Sequence, residues 1–413
     1  MMKNLFLYAS FSMMLLTAIG CSKNNSPEAN KKQQSNIQHP IELATPVANV
    51  FTDFSFGFFK TLQAETDAEK DIFVSPLSLH IALGMLLKGA QGTTKEEMMQ
   101  ALKAEGISQD ELNKAYNTLL TELPQADDLV KLAPANAIFY KNGLPVETSF
   151  LTTMKNTFNA QVTGLPFVPA DLVTINQWAS DHTNGKIPKV LDEIDPNLVM
   201  LLMNALYFKG DWRSKFDKAN TEAQPFYPES GTQTTVKMMH QTDTFQLAAS
   251  GDFTALQLPY GNGQFRATLL LPNEGKSIAD VFSGLSITEW TQLQSSFYTQ
   301  SVEVGLPRFK LEQEFELNNT LQKMGMIKAF DAAAELEGIS NIKPLYVSFV
   351  KQNTFAAVDE EGTEAAAVTT IGIVNTSVPV IPQFICNRPF GFIISEKTSN
   401  TILFMGRIMQ PQD

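Results

Sequence analysis

The side chains that could carry catalysis are few, and they lie apart in this sequence. The four histidines are His39, His80, His182 and His240, and none belongs to the H-E-x-x-H pattern of a zinc hydrolase. Neither C-x-x-C nor the nucleophile signature G-x-S-x-G occurs. A Ser-His-Asp site assembled from distant positions stays open, but no motif supports it. The sequence therefore favours a protein without a catalytic site, cofactor or metal.

Glu360 and Glu361 resemble the paired carboxylates of an acid/base couple, but they open an unusual stretch. Residues 358–370 read V-D-E-E-G-T-E-A-A-A-V-T-T. After Gly362, every residue through 380 is small, β-branched or neutral except Glu364. Such a segment favours a strand but lacks the large side chains that would fix it in one core. We interpret the two acids as part of a hinge; the alternative is an Ala/Thr-rich surface loop without special behaviour.

Alternating residues of this segment would face opposite sides of a sheet. Thr363, Ala365 and Ala367 would point one way, and Glu364 and Ala366 the other. No residue from 362 to 378 is proline, so none interrupts a ladder there, and Pro379 and Pro382 end the stretch. The segment is therefore able to become a strand without being one at rest.

Predicted helices and strands surround this stretch. Helical spacing of apolar residues predicts helices at 45–62, 77–88, 95–103, 110–123, 148–158, 172–183, 288–294 and 317–324. Strands are expected at 131–140, at 198–207, as several short strands over 226–271 and 301–310, and as a hairpin of 390–395 with 401–409. Helices dominate the first half and strands the second, which is typical of an α+β fold. No linker interrupts residues 43–413, so one domain is predicted there.

Composition narrows the possible partners. The chain has 413 residues, a net charge of -12 and 44% hydrophobic residues, enough for a sizeable core. The negative charge argues against nucleic acid or an anionic membrane surface as partner. Lysine and arginine are scattered, and no basic face is evident. Cys21 and Cys386 are the only cysteines, so a disulfide framework is not expected. Cys386 lies in an apolar run and is predicted to be a buried, inert thiol.

The N-terminus has the pattern of an export signal. A short basic start precedes an apolar stretch at 5–18 that is too short to span a membrane. The sequence A-I-G-C ending at Cys21 resembles a bacterial lipoprotein cleavage and acylation site. Residues 1–20 would then be a signal peptide and 21–42 a flexible polar tether. A palmitate-type lipid on Cys21 would place the domain outside the cytoplasm, at an outer membrane or the cell surface. The alternative is an ordinary secretory signal cut nearby.

Stretches along nearly the whole chain resemble the serpin family. E-E-G-T-E-A-A-A-V-T matches the serpin hinge. Further matching stretches follow the family order, namely I-F-V-S-P-L-S-L-H-I-A-L-G-M-L-L-K-G-A-Q-G-T-T (72–94), A-N-A-I-F-Y (135–140), I-N-Q-W-A-S-D-H-T-N-G-K-I (175–187), N-A-L-Y-F-K-G-D-W (204–212), L-P-R-F-K-L (306–311), N-R-P-F-G-F-I-I (387–394) and L-F-M-G-R-I (403–408).

This resemblance implies a fold and a mechanism. The fold would have about eight or nine helices packed around three β-sheets, with an exposed reactive-centre loop. The protein would be a monomeric suicide-substrate inhibitor rather than an enzyme. A protease attacks the loop and forms an acyl-enzyme, and the cut loop then inserts into the central sheet before water can release the protease.

The resemblance assigns roles residue by residue. The hinge comprises Glu360, Glu361, Gly362, Thr363, Glu364, Ala365, Ala366, Ala367, Val368 and Thr369. Counting from Gly362 places the scissile bond at Thr376-Ser377, within a window that also includes Val374, Asn375 and Val378. The window contains no basic or aromatic residue, so we expect elastase-like serine proteases with small S1 pockets as targets. Papain-like cysteine proteases are possible second targets.

Further positions match residues around the central sheet. Ser75, Ser78 and Asn204 match a polar cluster where the sheet must part, and buried hydrogen bonding alone would also explain them. Trp212 matches an aromatic where the loop enters, and Glu360 matches a carboxylate that usually pairs with a lysine. Gln352 replaces a usual histidine. The competing function is a non-inhibitory serpin-fold binder such as a carrier or chaperone, although the small hinge residues favour an inhibitor.

Overall fold

The helices lie mainly in the first half of the chain, as predicted. The computed structural model describes residues 37, 39–363 and 381–413. Within these ranges it has nine α-helices: α1 (Thr45–Glu65), α2 (Pro76–Leu87), α3 (Gly92–Ala101), α4 (Gln109–Glu122), α5 (Thr148–Asn156), α6 (Asp171–His182), α7 (Ile278–Gly284), α8 (Ile287–Ser296) and α9 (Asn318–Lys323). No helix in these ranges combines the length and apolar character needed to cross a bilayer.

Strands dominate the second half, although β1 to β4 begin in the first half. They are β1 (Ile72–Val74), β2 (Val130–Lys141), β3 (Gln161–Leu165), β4 (Met200–Asp211), β5 (Thr221–Phe226), β6 (Thr234–Ala249), β7 (Phe253–Pro259), β8 (Phe265–Pro272), β9 (Tyr298–Pro307), β10 (Phe309–Glu316), β11 (Lys351–Val358), β12 (Gly362–Thr363), β13 (Gln383–Ile385), β14 (Phe390–Glu396) and β15 (Ile402–Ile408). The fold is α+β, as the sequence predicted.

The described strands form two hydrogen-bonded sheets rather than three separate ones. The six-stranded sheet has the order β10-β11-β12-β4-β2-β3. The nine-stranded sheet has the order β1-β15-β14-β8-β7-β6-β9-β13, with β5 also paired to β6. The nine-stranded sheet is continuous because β6 is 16 residues long and pairs with different strands along its length. Its first part pairs with β5 and its last four residues with β7, so the ladder is continuous.

The buried helix α2 connects the two sheets. Ser75 accepts a hydrogen bond from the Ser78 amide and Pro76 occupies the first turn, so both begin the helix. Apolar side chains occupy most of its faces, and it packs against α1, β4 and β15. A helix that is apolar on most sides gains stability only when it is covered on most sides. This position puts the start of α2 directly beneath the six-stranded sheet.

Within α2, His80 is fully buried in an aromatic environment. Its ring lies 4.7 Å from the Phe51 ring and 4.8 Å from the Phe54 ring, centroid to centroid. Nε2 lies 3.2 Å from the Leu102 carbonyl oxygen, and Nδ1 lies 2.9 Å from the Tyr116 hydroxyl. A neutral ring donates to the carbonyl and accepts from the hydroxyl. Burial lowers the pKa of His80 to about 3. His80 therefore has a structural role in the core.

We expect acid to destabilise the intact protein through His80. Above pH 6.5 the ring is neutral in both the folded and the unfolded chain, so its titration does not change the free energy of unfolding. Below that value the unfolded chain binds a proton that the folded chain rejects, so stability falls by about 1.4 kcal/mol per pH unit until the folded pKa is reached. Urea midpoints measured from pH 7 to pH 4.5 would show this as a steeper decline for wild type than for His80→Gln. Parallel declines in the two proteins would contradict it.

Candidate functional site

The candidate site begins where β12 sits between β11 and β4. Thr363 pairs with Val358 of β11 and with Gly210 of β4, and Gly362 pairs with Asp211. The outer partners of the two flanking strands are β10, along all of β11, and β2, along most of β4. Among the described residues, β12 is the only element that pairs with the facing edges of β4 and β11. These edges therefore offer backbone groups to a further strand.

A cavity of about 410 Å³ continues from β12 between the same two strands. Its lining includes residues 200–206 of β4 and residues 345–354, which lead into β11. Helix α6 contributes Trp178 and Ala179 on one side, and α2 contributes Ser78, Leu79 and Ala82 on the other. We call this space the slot. It lies directly in line with β12, bounded along both sides by strand edges.

Polar side chains tie both edges of the slot to α2. The Ser75 amide donates to Gln352 Oε1 at 3.0 Å, and Gln352 Nε2 donates to the Ser75 carbonyl at 2.8 Å. On the opposite edge, the Ser78 hydroxyl donates to Asn204 Oδ1. Asn204 Nδ2 in turn donates to Asn136 Oδ1 at 2.6 Å. The four predicted residues thus lie together beneath the slot. Sequence reasoning missed Asn136, although a lone amide within the apolar strand 135–140 was a signal.

Two aromatic rings lie beside β12, above the slot. Trp212 is 3% exposed and donates its indole N–H to the Asp359 carbonyl at 2.9 Å. Its ring stacks on the Tyr260 ring at 4.4 Å. The Tyr260 hydroxyl lies 2.7 Å from Thr363 Oγ1. Trp212 therefore lies beside β12, next to the residues that precede it. Tyr260 was missed, because it lies in a hairpin turn about one hundred positions before its partner.

The carboxylates of Glu360 and Glu361 bind different cations. Arg308 donates to Glu360 Oε1 from Nε at 2.8 Å and from Nη2 at 2.6 Å. Glu361 instead pairs with Lys215 at 2.8 Å and with Lys218 at 3.4 Å. The two acids thus do not share a site as an acid/base couple would. The predicted partner of Glu360 was a lysine; the chain provides an arginine, which can bind the carboxylate with two donors.

The electrostatics of Glu360 depend on this arginine. Glu360 is 1% exposed. Burial alone would raise the pKa of its carboxyl, but hydrogen bonds from Arg308 and Thr221 hold the pKa below its ordinary value. The carboxylate therefore stays ionised inside the fold and fixes the chain just before β12.

Gly362 is required by close approach of the backbone. A Cβ atom at this position would lie 2.0 Å from the Gly210 carbonyl oxygen and 2.8 Å from the Asp211 Cα. Both neighbours are main-chain atoms of β4 and cannot move aside cheaply. Only glycine lets the chain enter the gap beside β4 here.

The remaining predicted residues lie outside the described ranges. They are hinge residues 364–369, the bond Thr376-Ser377 with its window, and Cys21. Cys386 is described and is a free, buried cysteine. Burial raises the pKa of its thiol, which confirms the prediction of an inert thiol.

Comparisons with known proteins identify the family of this chain. Residues 49–411 match the family model described as serpin (serine protease inhibitor). The chain belongs to the serpin family. Human Serpin B3 is 33% identical over 385 residues, covering 87% of this chain and 98% of that protein. The native structure of tengpin, a thermophilic serpin, has a TM-score of 0.83 and 30% identity, covering 92% of this chain and 99% of tengpin.

A third relative has a different role. The complex of thyroxine-binding globulin with thyroxine has a TM-score of 0.80 and 27% identity, covering 89% of this chain and 99% of the globulin chain. The serpin fold thus also occurs in a protein named for binding a small molecule. Serpins are generally suicide-substrate inhibitors of serine proteases rather than catalytic enzymes. In this serpin, the slot and β12 are the features on which such inhibition would depend.

Proposed function

We propose that this serpin traps proteases by inserting its cleaved loop into the six-stranded sheet. The observation that carries the proposal is β12, which already pairs with both β4 and β11 above an open slot. After cleavage near position 376, residues 364 onward would continue β12 downward as a full strand. The acylated protease would move with the loop and be deformed before hydrolysis releases it.

The register of β12 indicates which residue would meet which partner. Because β12 is antiparallel to both neighbours, each further loop residue pairs with the preceding residue of β4 and of β11. Ala365 and Ala367 then face α2, where small side chains pass easily. Thr369 arrives between Asn204 and Gln352, beside the polar groups described above. Its hydroxyl can join their hydrogen bonds, which supports an inserted state with no buried polar group left unpaired.

The free energy released by such an insertion is sufficient to deform a bound protease. A strand that continued to Met200 would contain about a dozen residues. At a net ~1 kcal/mol for each hydrogen-bonded residue, with additional apolar burial, the gain is on the order of ten kcal/mol. This is comparable with the whole stability of a typical protease domain.

The experiment is incubation of the intact chain with a protease panel. An inhibitor gives a covalent complex that survives denaturing gel electrophoresis, and its cleaved form melts well above the intact form. The alternative is a binding protein with the serpin fold, for which thyroxine-binding globulin is the structural precedent. A chain that is cut in its loop without forming any complex, and without gaining thermal stability, would support this alternative.

We expect cleavage at Thr376-Ser377 by elastase-like serine proteases. The window from Val374 to Val378 offers only small or β-branched neutral side chains besides Asn375, which suit a small S1 pocket but not one that binds an arginine. Mass spectrometry of the peptide released by an elastase should show Ser377 as its first residue. Rapid trapping of a trypsin-like protease, with cleavage outside this window, would refute the assignment.

We also propose that the serpin is lipid-anchored through Cys21 outside the cytoplasm. Support comes from A-I-G-C and from the polar residues that follow it. In a bacterial host, wild-type protein should partition into the membrane fraction with the mass of an acylated Cys21. Cys21→Ser should lose the lipid and remain unanchored. An unacylated wild-type chain cut at another position would instead identify an ordinary secretory signal.

A further inference from the structure

The outer face of the six-stranded sheet, the face that α6 covers, carries a group of lysines at the upper end of the slot. Lys131 of β2 lies directly opposite Lys209 of β4. Lys310 of β10 pairs with Ala357 on the far side of the slot. With Lys186, which follows α6, these residues form what we call the lysine row. The sequence suggested no basic face, because the four lysines come from separate segments.

Aromatic rings hold these lysines beside the slot. The Lys131 ammonium lies 5.5 Å from the Tyr207 ring on the β4 side. On the β11 side, the ammonium groups of Lys186 and Lys310 lie 4.8 Å and 5.6 Å from the same Phe355 ring. Cation–π contacts at these distances favour positions over the ring faces. Positive charge therefore lies on both the β4 side and the β11 side of the gap just below β12.

The arrangement costs stability in the intact molecule. Like charges directly opposite on neighbouring strands repel, as Lys131 and Lys209 do. Within the described ranges, no ion pair joins Lys131, Lys209 or Lys310 to a carboxylate. Glu312, Glu314 and Glu316 lie on the same face of β10 as Lys310, and Glu314 pairs with Lys351 rather than with a residue of the row. Among the described residues, Lys131, Lys209 and Lys310 could therefore each accept a carboxylate as an ion-pair partner.

We propose that the lysine row is the receptor for the Glu364 carboxylate during loop insertion. The proposal rests on the proposed function and names residues that guide its first step. In the register of β12, the next residue pairs with Lys209 and Ala357, and Ala357 is the partner of Lys310. That residue is Glu364, the only charged residue between positions 361 and 388. Its side chain would point to the outer face, since Thr363 points inward to Tyr260.

The electrostatic consequence concerns the start of insertion. An exposed ion pair contributes little once formed, but several cations around one carboxylate attract it over roughly a Debye length, about 10 Å at 0.1 M salt. Attraction over this range accelerates the step in which the strand extends beyond β12. Because trapping competes with hydrolysis of the acyl-enzyme, a slower first step releases more protease uninhibited.

The test compares the Lys209→Gln/Lys310→Gln protein with Glu364→Gln and with the triple variant, using an elastase-like protease. The measured quantity is the number of inhibitor molecules consumed per protease trapped. In about 0.05 M salt we expect the number consumed beyond one per trapped protease to be about five times the wild-type value in the double variant and in Glu364→Gln. The triple variant should show no further rise. In about 1 M salt the differences should nearly disappear. Lys114→Gln/Lys155→Gln, exposed on α4 and α5, is the matched control and should resemble wild type.

Two results would overturn the inference. The first is a lysine-row variant that behaves like the control; the second is a triple variant in which the separate effects multiply, because independent effects would mean that Glu364 and the row do not meet. Failure of the proposed function is distinguishable, since the wild type would then trap no protease and gain no thermal stability on cleavage. That outcome would remove the basis of this inference as well.

Discussion

Thr363→Arg should convert this serpin from an inhibitor into a substrate. Thr363 is 3% exposed, pairs with both flanking strands and points at the Tyr260 hydroxyl. An arginine there would have to bury its charge against Tyr260, which costs several kcal/mol without a partner. A barrier about 3 kcal/mol higher slows insertion about a hundredfold. Hydrolysis of the acyl-enzyme is then faster than insertion, and a denaturing gel should show cleaved chain without covalent complex.

Two controls define this result. Gln322→Arg adds the same charge at an exposed position of α9 and should trap protease like the wild type. Thr363→Val keeps the shape but loses the hydrogen bond to Tyr260, so it should trap less efficiently while still forming complex. A detergent-stable complex formed by Thr363→Arg at wild-type yield would show that β12 does not lead the insertion.

Local patterns were sufficient to predict most elements of the fold. The apolar spacing that starts at Val47 predicted α1, and the run at 198–207 predicted β4, because each pattern reports directly on burial. Helix α7 was missed, although Ser277 and Asp280 form a capping box. The pairing of the described strands into two continuous sheets was not predicted. Sheet continuity depends on how β6 divides its pairing among β5, β9 and β7, which no local pattern contains.

The candidate site was predictable only in part. Ser75, Ser78, Asn204 and Gln352 came from the resemblance, and the structure adds that each edge of the slot is bonded to α2. Tyr260 and Arg308 lie about one hundred and about fifty positions from the hinge residues they contact, so spacing carried no signal for them. The lysine row was missed for the same reason. Its charges gather only when strands β2, β4 and β10 come together in register.

Arg308→Met should destabilise the intact protein strongly. Glu360 is 1% exposed and receives both guanidinium hydrogen bonds, so the substitution leaves a buried carboxylate without its arginine, while the Thr221 hydroxyl still donates to it. Breaking a buried pair costs about 3–5 kcal/mol, and the partial exposure of Arg308 places the expected loss near about 3 kcal/mol. Urea midpoints at pH 7 would measure it. Lys215→Met removes an exposed partner of Glu361 and should cost less than about 1 kcal/mol.

The pH dependence identifies the cause of that loss. In the wild type the pKa of Glu360 is held below 4.5, so its contribution is complete above that value and is lost as pH falls through the folded pKa. In Arg308→Met the unpaired carboxylate accepts a proton more readily, which relieves the penalty. The stability difference between the two proteins should therefore shrink as the pH falls to about 4.5 and below. At pH 7, Arg308→Met/Glu360→Met should recover most of the stability that Arg308→Met loses. A deficit that is constant with pH would mean that Arg308 stabilises the fold by packing rather than by holding Glu360 at the entrance of the slot.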